Sequence, residues 1–129
     1  MKVLLDTHLI IWAAEDDNAL PQEAREIIQE LDNTLYFSVA SIWEIVIKST
    51  LGRDDFQIDA RVLRRNLRDS GYEELSIEAP HAFEIERLPL LHKDPFDRIL
   101  LGQSIVEGIV LLTHDDHIRQ YDFAPIRYV

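Results

Sequence analysis

Four acidic residues stand where carboxylates can work together. Asp6 follows the apolar run Val3-Leu4-Leu5 directly, and Asp115 stands one residue past the apolar run Ile109–Thr113. Glu44 lies near the start of a helical segment, and Asp97 opens another. Alone, each has an ordinary structural role: Asp at a strand-to-helix junction caps the helix, and Glu in a first turn favours the helix dipole. Together they pose an electrostatic problem. Two carboxylates about 4 Å apart repel by roughly 4 kcal/mol at an effective dielectric near 20. Three or four in one pocket would cost on the order of 10 kcal/mol, comparable with the roughly 5–15 kcal/mol stability of a whole domain. Either some are protonated or a cation sits among them. With oxygen donors and no cysteine in the chain, the cation expected is Mg²⁺ or Mn²⁺ rather than zinc. Such a site suits hydrolysis of a phosphodiester, in which a metal-activated water attacks and the ion screens the leaving oxygen.

The formal net charge of -11 opposes a nucleic-acid partner, because phosphate binding ordinarily needs a basic surface. A cation gathered into the acidic pocket removes part of that objection, and the residual charge suits a basic protein partner.

The elements that must position these acids follow from the pattern. The 129 residues are read as one domain, 1–129, with no repeat or linker. Strands are expected over Lys2–Leu5, Leu35–Val39, Tyr72–Ile77, Ile109–Thr113 and Ile126–Val129. Helices are expected over Thr7–Ala14, Pro21–Leu31, Ser41–Leu51, Pro80–Leu88, Phe96–Glu107 and Asp116–Tyr121, and from the Asp59 cap to Ser70. In the third of these, Ile42, Ile45 and Val46 share a side. Alternation of strand and helix implies an α/β fold with a mostly parallel sheet covered on both faces. In such sheets ligands bind beyond the carboxyl ends of the strands, where Asp6 and Asp115 fall. No run approaches the roughly 18 apolar residues of a membrane span, and Asp6 interrupts the first apolar stretch, unlike a secretory signal, so a cytoplasmic protein is expected.

Four segments in order, LLDTHLIIW (Leu4–Trp12), SVASIWEIVIK (Ser38–Lys48), HKDPFDRILLGQS (His92–Ser104) and LLTHDDHIRQY (Leu111–Tyr121), resemble the PIN-domain family, and within it the VapC-type ribonuclease toxins. The resemblance covers essentially the whole chain. It implies a three-layer α/β/α fold with a central mostly parallel sheet, Mg²⁺- or Mn²⁺-dependent cleavage of RNA, a cognate antitoxin and a homodimer. Asp6, Glu44, Asp97 and Asp115 fall on the family's acidic positions. Thr113 falls on a Ser/Thr position that helps hold metal-bound water, and Thr7 and Ser41 match hydroxyl positions of more structural weight. Within Asp94-Pro95-Phe96-Asp97 the metal is assigned to Asp97, with Asp94 supporting or capping. Of the adjacent pair, Asp115 matches the family's T-x-D pattern, and Asp116 is taken as a helix cap.

Other features have competing roles. Arg61, Arg64, Arg65 and Arg68 recur at helical spacing opposite Leu63 and Leu67, either as an RNA-backbone contact or as a solvated face. Arg98 and Lys48 could orient carboxylates, meet phosphate or offset the acidic cluster. His114 and His117, with His8 or His92 as helpers, do not complete a tetrahedral zinc site and are read as surface histidines. Trp12, Trp43 and Tyr36 sit among aliphatics and are read as core rather than as base-stacking platforms.

Other functions are weighed on the same residues. A receiver-type phospho-signalling domain wants an acidic pair after its first strand and a Lys after a late one, whereas Asp6 is followed by Thr7-His8 and Asp115 stands at the late position. A haloacid-dehalogenase-type phosphatase needs a second Asp in D-x-D spacing, which Asp6-Thr7-His8 lacks. A PIN module that binds RNA or protein without cutting is the remaining alternative.

Overall fold

The computed structural model describes residues 1–129. Five strands, β1 (Lys2–Leu5), β2 (Thr34–Ser38), β3 (Glu73–Leu75), β4 (Val110–Thr113) and β5 (Ile126–Tyr128), form one sheet in the order β3-β2-β1-β4-β5. Every neighbouring pair is parallel. Six α-helices accompany it: α1 (Thr7–Glu15), α2 (Gln22–Gln29), α3 (Val39–Thr50), α4 (Ala60–Asp69), α5 (Ala79–Glu84) and α6 (Pro95–Glu107). None is long and apolar enough to cross a membrane.

Side-chain alternation along β1 divides the interior into two cores. Val3 and Leu5 join Leu9, Ile10, Leu63 and Leu67 beneath α1, α2 and α4. Leu4 points the other way and meets Leu100, Leu101 and Tyr121 beneath α5 and α6. Helix α3 touches both, through Ile45 and Ala40. A covered sheet between two helical layers is the expected α/β/α arrangement. Helix α5 lies close on α6 because residue 102 is glycine: a Cβ there would sit 2.5 Å from the His81 carbonyl oxygen.

The sheet grows from β1 outward in one direction through β2 and β3, and in the other through β4 and β5. The reversal falls between β1 and β4, which pair at Leu5 and Leu112. Crossovers on either side of such a reversal depart in opposite directions and leave a crevice at the strand ends. Asp6 and Thr113 are the first residues into that crevice from one strand and the last from the other.

Several boundaries differ from expectation. Helix α3 begins at Val39, not Ser41, because the Ser38 hydroxyl accepts from the Ala40 N–H and caps it. Strand β3 is three residues rather than the Tyr72–Ile77 run, since Tyr72 is drawn into the first core and residues 76–78 are exposed. Pro80–Leu88 resolves into α5 and a 3-10 turn at Ile85–Arg87, and the last helix is only a 3-10 turn at Ile118–Gln120. Trp43 is 55% exposed and Val46 48%, so neither is core. Both lie on the side of α3 turned from the sheet, where Trp43 meets Phe96 edge-on at 5.0 Å. Trp12 and Tyr36 are partly buried and pack against the first and second cores.

Candidate functional site

Asp6 enters the crevice as the cap of α1, its Oδ1 accepting from the Leu9 N–H at 3.0 Å. Its Oδ2 accepts from the Thr113 hydroxyl at 2.5 Å and from the His114 N–H at 3.4 Å. Asp6 is buried, and burial raises its pKa despite these donors. Thr113 ties the two strand ends together, because its Oγ1 also accepts from the Asp115 N–H at 3.0 Å.

Glu44 is buried one turn into α3. The Thr7 hydroxyl donates to its Oε1 at 2.6 Å, and Ser41 Oγ lies 2.9 Å from that hydroxyl. Lys48, one helical turn further on, brings Nζ to 2.5 Å from Glu44 Oε2. The ammonium also lies 4.9 Å from the Phe56 ring and 5.8 Å from the Phe96 ring. Lys48 thus stands as a counterion to Glu44 within the cluster.

Asp97 sits in the first turn of α6. Asp94 caps that helix, accepting from the Phe96 and Asp97 N–H groups at 2.8 and 3.2 Å. Pro95 at the first helical position costs nothing there, because its missing N–H would have had no helical partner. Asp97 Oδ2 lies 2.7 Å from His92 Nε2. Burial, then the charges of Asp94, Glu44, Asp115 and Asp6, push the Asp97 carboxyl up to about 8. The fold therefore brings all four predicted acids, and Asp94, into one electrostatic field.

Asp115 differs from its neighbour in kind. Its Oδ1 accepts from the His117 N–H at 2.7 Å, while Asp116 faces solvent beside Arg119. The expectation that Asp116 caps a helix is corrected: the segment winds into a single 3-10 turn starting two residues later, and Asp115 fastens its entry.

Arg98 turns away from the acids. Its guanidinium donates to the carbonyls of Ile85, Pro89 and His92 and to Tyr121 Oη, at 3.2–3.3 Å. It holds the 85–92 segment in place and so positions His92, rather than meeting a carboxylate. On α4, Arg64 is paired with Glu74 at 2.5 Å, and Arg61, Arg65 and Arg68 are exposed.

His92 is the residue that pattern reasoning undervalued. Ligand atoms of His92, Asp94 and Asp97 lie within 4.8 Å of one another. The ring stacks on His117 at 4.8 Å, and the His92 N–H donates to Tyr121 Oη. Its signal was the HKDPFD segment itself: a turn at Asp94-Pro95 folds the histidine back onto the acid five residues later. As a donor set the cluster is rich in hard oxygens and has no thiolate, and its carboxylates repel one another until one is neutralised. That composition fits a divalent Mg²⁺ or Mn²⁺ ion.

Solved structures share this fold. A chain of the VapBC2 complex from Rickettsia felis, bound to a DNA fragment from their promoter, aligns with a TM-score of 0.71 and 15% identity, covering 99% of this chain and 98% of that one. VapBC-1 from nontypeable Haemophilus influenzae aligns at 0.70 and 17% identity, with the same coverage. DNA-bound VapBC from Salmonella typhimurium aligns at 0.65 and 17%, again covering 99% and 98%. Among curated proteins none matches by sequence. The PIN domain family model matches residues 3–124, nearly the whole chain, and the protein belongs to the PIN-domain family.

Proposed function

We propose that this PIN domain is a Mg²⁺- or Mn²⁺-dependent endoribonuclease, the toxin half of a toxin–antitoxin pair. The observation that carries the reading is the Asp97 carboxyl, raised to about 8 by burial and by Asp94, Glu44, Asp115 and Asp6. Carboxylates gathered at the switch point, where burial and mutual repulsion oppose their charge, are the arrangement that a bound cation relieves. Asp6, Glu44, Asp97 and Asp115 are the residues that would hold the ion, which supplies an activated water and charge neutralisation at the phosphate. Thr113 fixes the Asp6 carboxylate, Thr7 and Ser41 fix Glu44, and Asp94 fixes the turn that presents Asp97. Arg61, Arg65 and Arg68 are exposed on one helix and have no ion-pair partner, which leaves them available to an RNA backbone.

The structural likeness to chains of three VapBC complexes supports an antitoxin partner. With a formal charge of -11, this chain would attract a basic or mixed-charge antitoxin segment. A homodimer in the cytoplasm completes the reading. The test is incubation of purified protein with labelled RNA in Mn²⁺, in EDTA, and with the Asp6→Asn variant. Cleavage only by the wild type with metal is expected; metal-independent cleavage, or equal cleavage by the variant, overturns the proposal. One observation favours a second reading, a PIN module that binds without cutting: Lys48 already neutralises Glu44. RNA binding without metal-dependent cleavage in the same assay selects it.

A further inference from the structure

We propose that His92 and His117 make the candidate metal centre select Mn²⁺ or Mg²⁺ against Ca²⁺, because each engages one oxygen of a carboxylate and leaves the other for the ion. This rests on the metal-dependent reading above and adds the residues that choose the ion. His92 Nε2 lies 2.7 Å from Asp97 Oδ2, and no hydrogen bond reaches Asp97 Oδ1. On Asp115, the His117 N–H donates to Oδ1 at 2.7 Å and the His117 ring Nδ1 lies 3.3 Å from the same atom, while Oδ2 is free of hydrogen bonds.

The two rings act as a unit. They stack with centroids 4.8 Å apart and planes within 12° of parallel. They belong to separate segments that the fold brings together, His92 in the loop before α6 and His117 at the entry of the 3-10 turn Ile118–Gln120. That turn grips His92 twice. His117 covers its ring, and Tyr121, fully buried at the end of the turn, accepts from its backbone N–H at 2.9 Å. Arg98 Nη1 donates to the His92 carbonyl oxygen at 3.3 Å. Thr113 already ties Asp115 to Asp6, so the stack supplies the remaining link, from Asp115 to Asp97.

Ion choice follows from how many oxygens each acid can offer. Ca²⁺ takes roughly six to eight oxygens at about 2.3–2.6 Å and accepts both oxygens of one carboxylate. Mg²⁺ demands a near-ideal octahedron at about 2.0–2.1 Å and completes it with water, and Mn²⁺ shares that octahedral habit. Asp97, engaged at Oδ2, cannot turn both oxygens to an ion without giving up its imidazole. Asp115 is restrained at Oδ1 chiefly by the backbone N–H, so the main part of the His117 ring is to keep His92 in place. The pair therefore presents single oxygens in a fixed arrangement, which suits the smaller six-coordinate ion. With the rings removed, Asp97 is released to bind through both oxygens, and the larger ion gains.

The test is calorimetric titration of the metal-stripped protein with Mn²⁺ and, separately, with Ca²⁺, in the absence of RNA. Wild type should bind Mn²⁺ the more tightly, by about tenfold or more. His92→Ala should cut that preference about tenfold, and His92→Gln, which can place an amide donor where Nε2 stands, should restore most of it. His117→Phe should keep the preference by keeping the stack, whereas His117→Ala should lower it about threefold. The His117 side chain is 65% exposed, so its variants should fold, and they decide the matter alone if His92→Ala does not. A general loosening of the site would weaken both ions alike and leave the ratio unmoved. Equal affinity of wild type for the two ions overturns the proposal, as does a ratio unchanged by His92→Ala and His117→Ala; the ribonuclease reading survives either result. Absence of divalent-ion binding by wild type overturns both.

Discussion

Replacing Asp97 with Asn should stabilise the metal-free protein while abolishing cleavage, and the gain should grow with pH. In the fold the Asp97 carboxyl is raised from 3.8 to about 8. Between those values the folded chain holds a proton that the unfolded chain has released. The folded state thus binds more protons, and stability falls as pH rises across this window. Below about pH 4 both states are protonated and the effect vanishes; above pH 8 it is complete. Four pH units correspond to roughly 5 kcal/mol at about 1.4 kcal/mol per unit. The Asp97 side chain is 14% exposed, and local relaxation relieves part of the repulsion, so about 3 kcal/mol is the expected difference at pH 8. For a domain of this length that is about 10 °C in Tm. The assay is thermal unfolding in EDTA of wild type and Asp97→Asn at pH 5 and pH 8. The variant should melt higher by a margin that widens with pH, and Mn²⁺ should narrow it by stabilising the wild type. A margin identical at the two pH values would show that Asp97 does not share the field of Asp94, Glu44, Asp115 and Asp6.

Thr113→Val removes the hydroxyl donor to Asp6 Oδ2 without changing side-chain shape; calorimetry should show a loss of about 1–2 kcal/mol, and RNA cleavage should fall at least tenfold. Lys48→Met leaves the buried Glu44 carboxylate without its ammonium partner; the metal-free protein should lose about 2–3 kcal/mol in urea unfolding, and saturating Mg²⁺ should recover more stability in the variant than in wild type. Arg98→Lys cannot reach the three carbonyls and the Tyr121 hydroxyl that the guanidinium holds; it should cost about 1–3 kcal/mol in thermal melts, with the salt dependence of RNA affinity unchanged. Arg65→Glu with Arg68→Glu should weaken RNA binding at low salt and flatten the log–log salt slope by about one, as read by filter binding; an unchanged slope would make the stripe a solvated face.

What could be read from the residues, and what could not, divides along physical lines. Continuous apolar runs of strand length such as Ile109–Thr113 favour a strand covered on both faces, so the parallel sheet and the ends of β1 and β4 followed from pattern. Asp6 and Asp115 follow those strands in the chain, so their place in the crevice followed too. The start of α3 did not: a β-branched Val39 reads as strand, and the Ser38 cap overrides it. Trp43 was misplaced because an apolar residue on a helix does not say how much of its side the neighbouring layer covers. Long cations were the least legible. Spacing put Lys48 and Arg98 near the acids, but only the flexible ends of their side chains decide that one meets Glu44 and the other three carbonyls. His92 was hidden for a related reason, since its contact with Asp97 depends on the turn at Asp94-Pro95 rather than on a helical or strand period.

The acidity of the chain, which first argued against nucleic acid, becomes intelligible once the charges are placed. The crevice concentrates Asp6, Glu44, Asp94, Asp97 and Asp115, with the Lys48 ammonium against Glu44 and the His92 ring against Asp97. On the ribonuclease reading, such a cluster repels RNA until a divalent ion enters, and the ion then presents a strongly polarising charge to a phosphate in a partly buried site. Beyond the His8 and Trp12 rings, Glu15, Asp17 and Asp54 have no cationic partner, while Asp55 is paired with Arg53 and lies against His8; on the ribonuclease reading these acids repel an RNA backbone on that side. The same groups would attract a basic peptide. On that reading a single field both directs a substrate phosphate to the metal and offers a neutralising partner its point of attachment. On this reasoning, competition between an oligoarginine peptide and RNA should weaken as ionic strength rises, because both are steered by the same screened charges. Competition independent of salt would place the peptide on an apolar surface elsewhere on the domain.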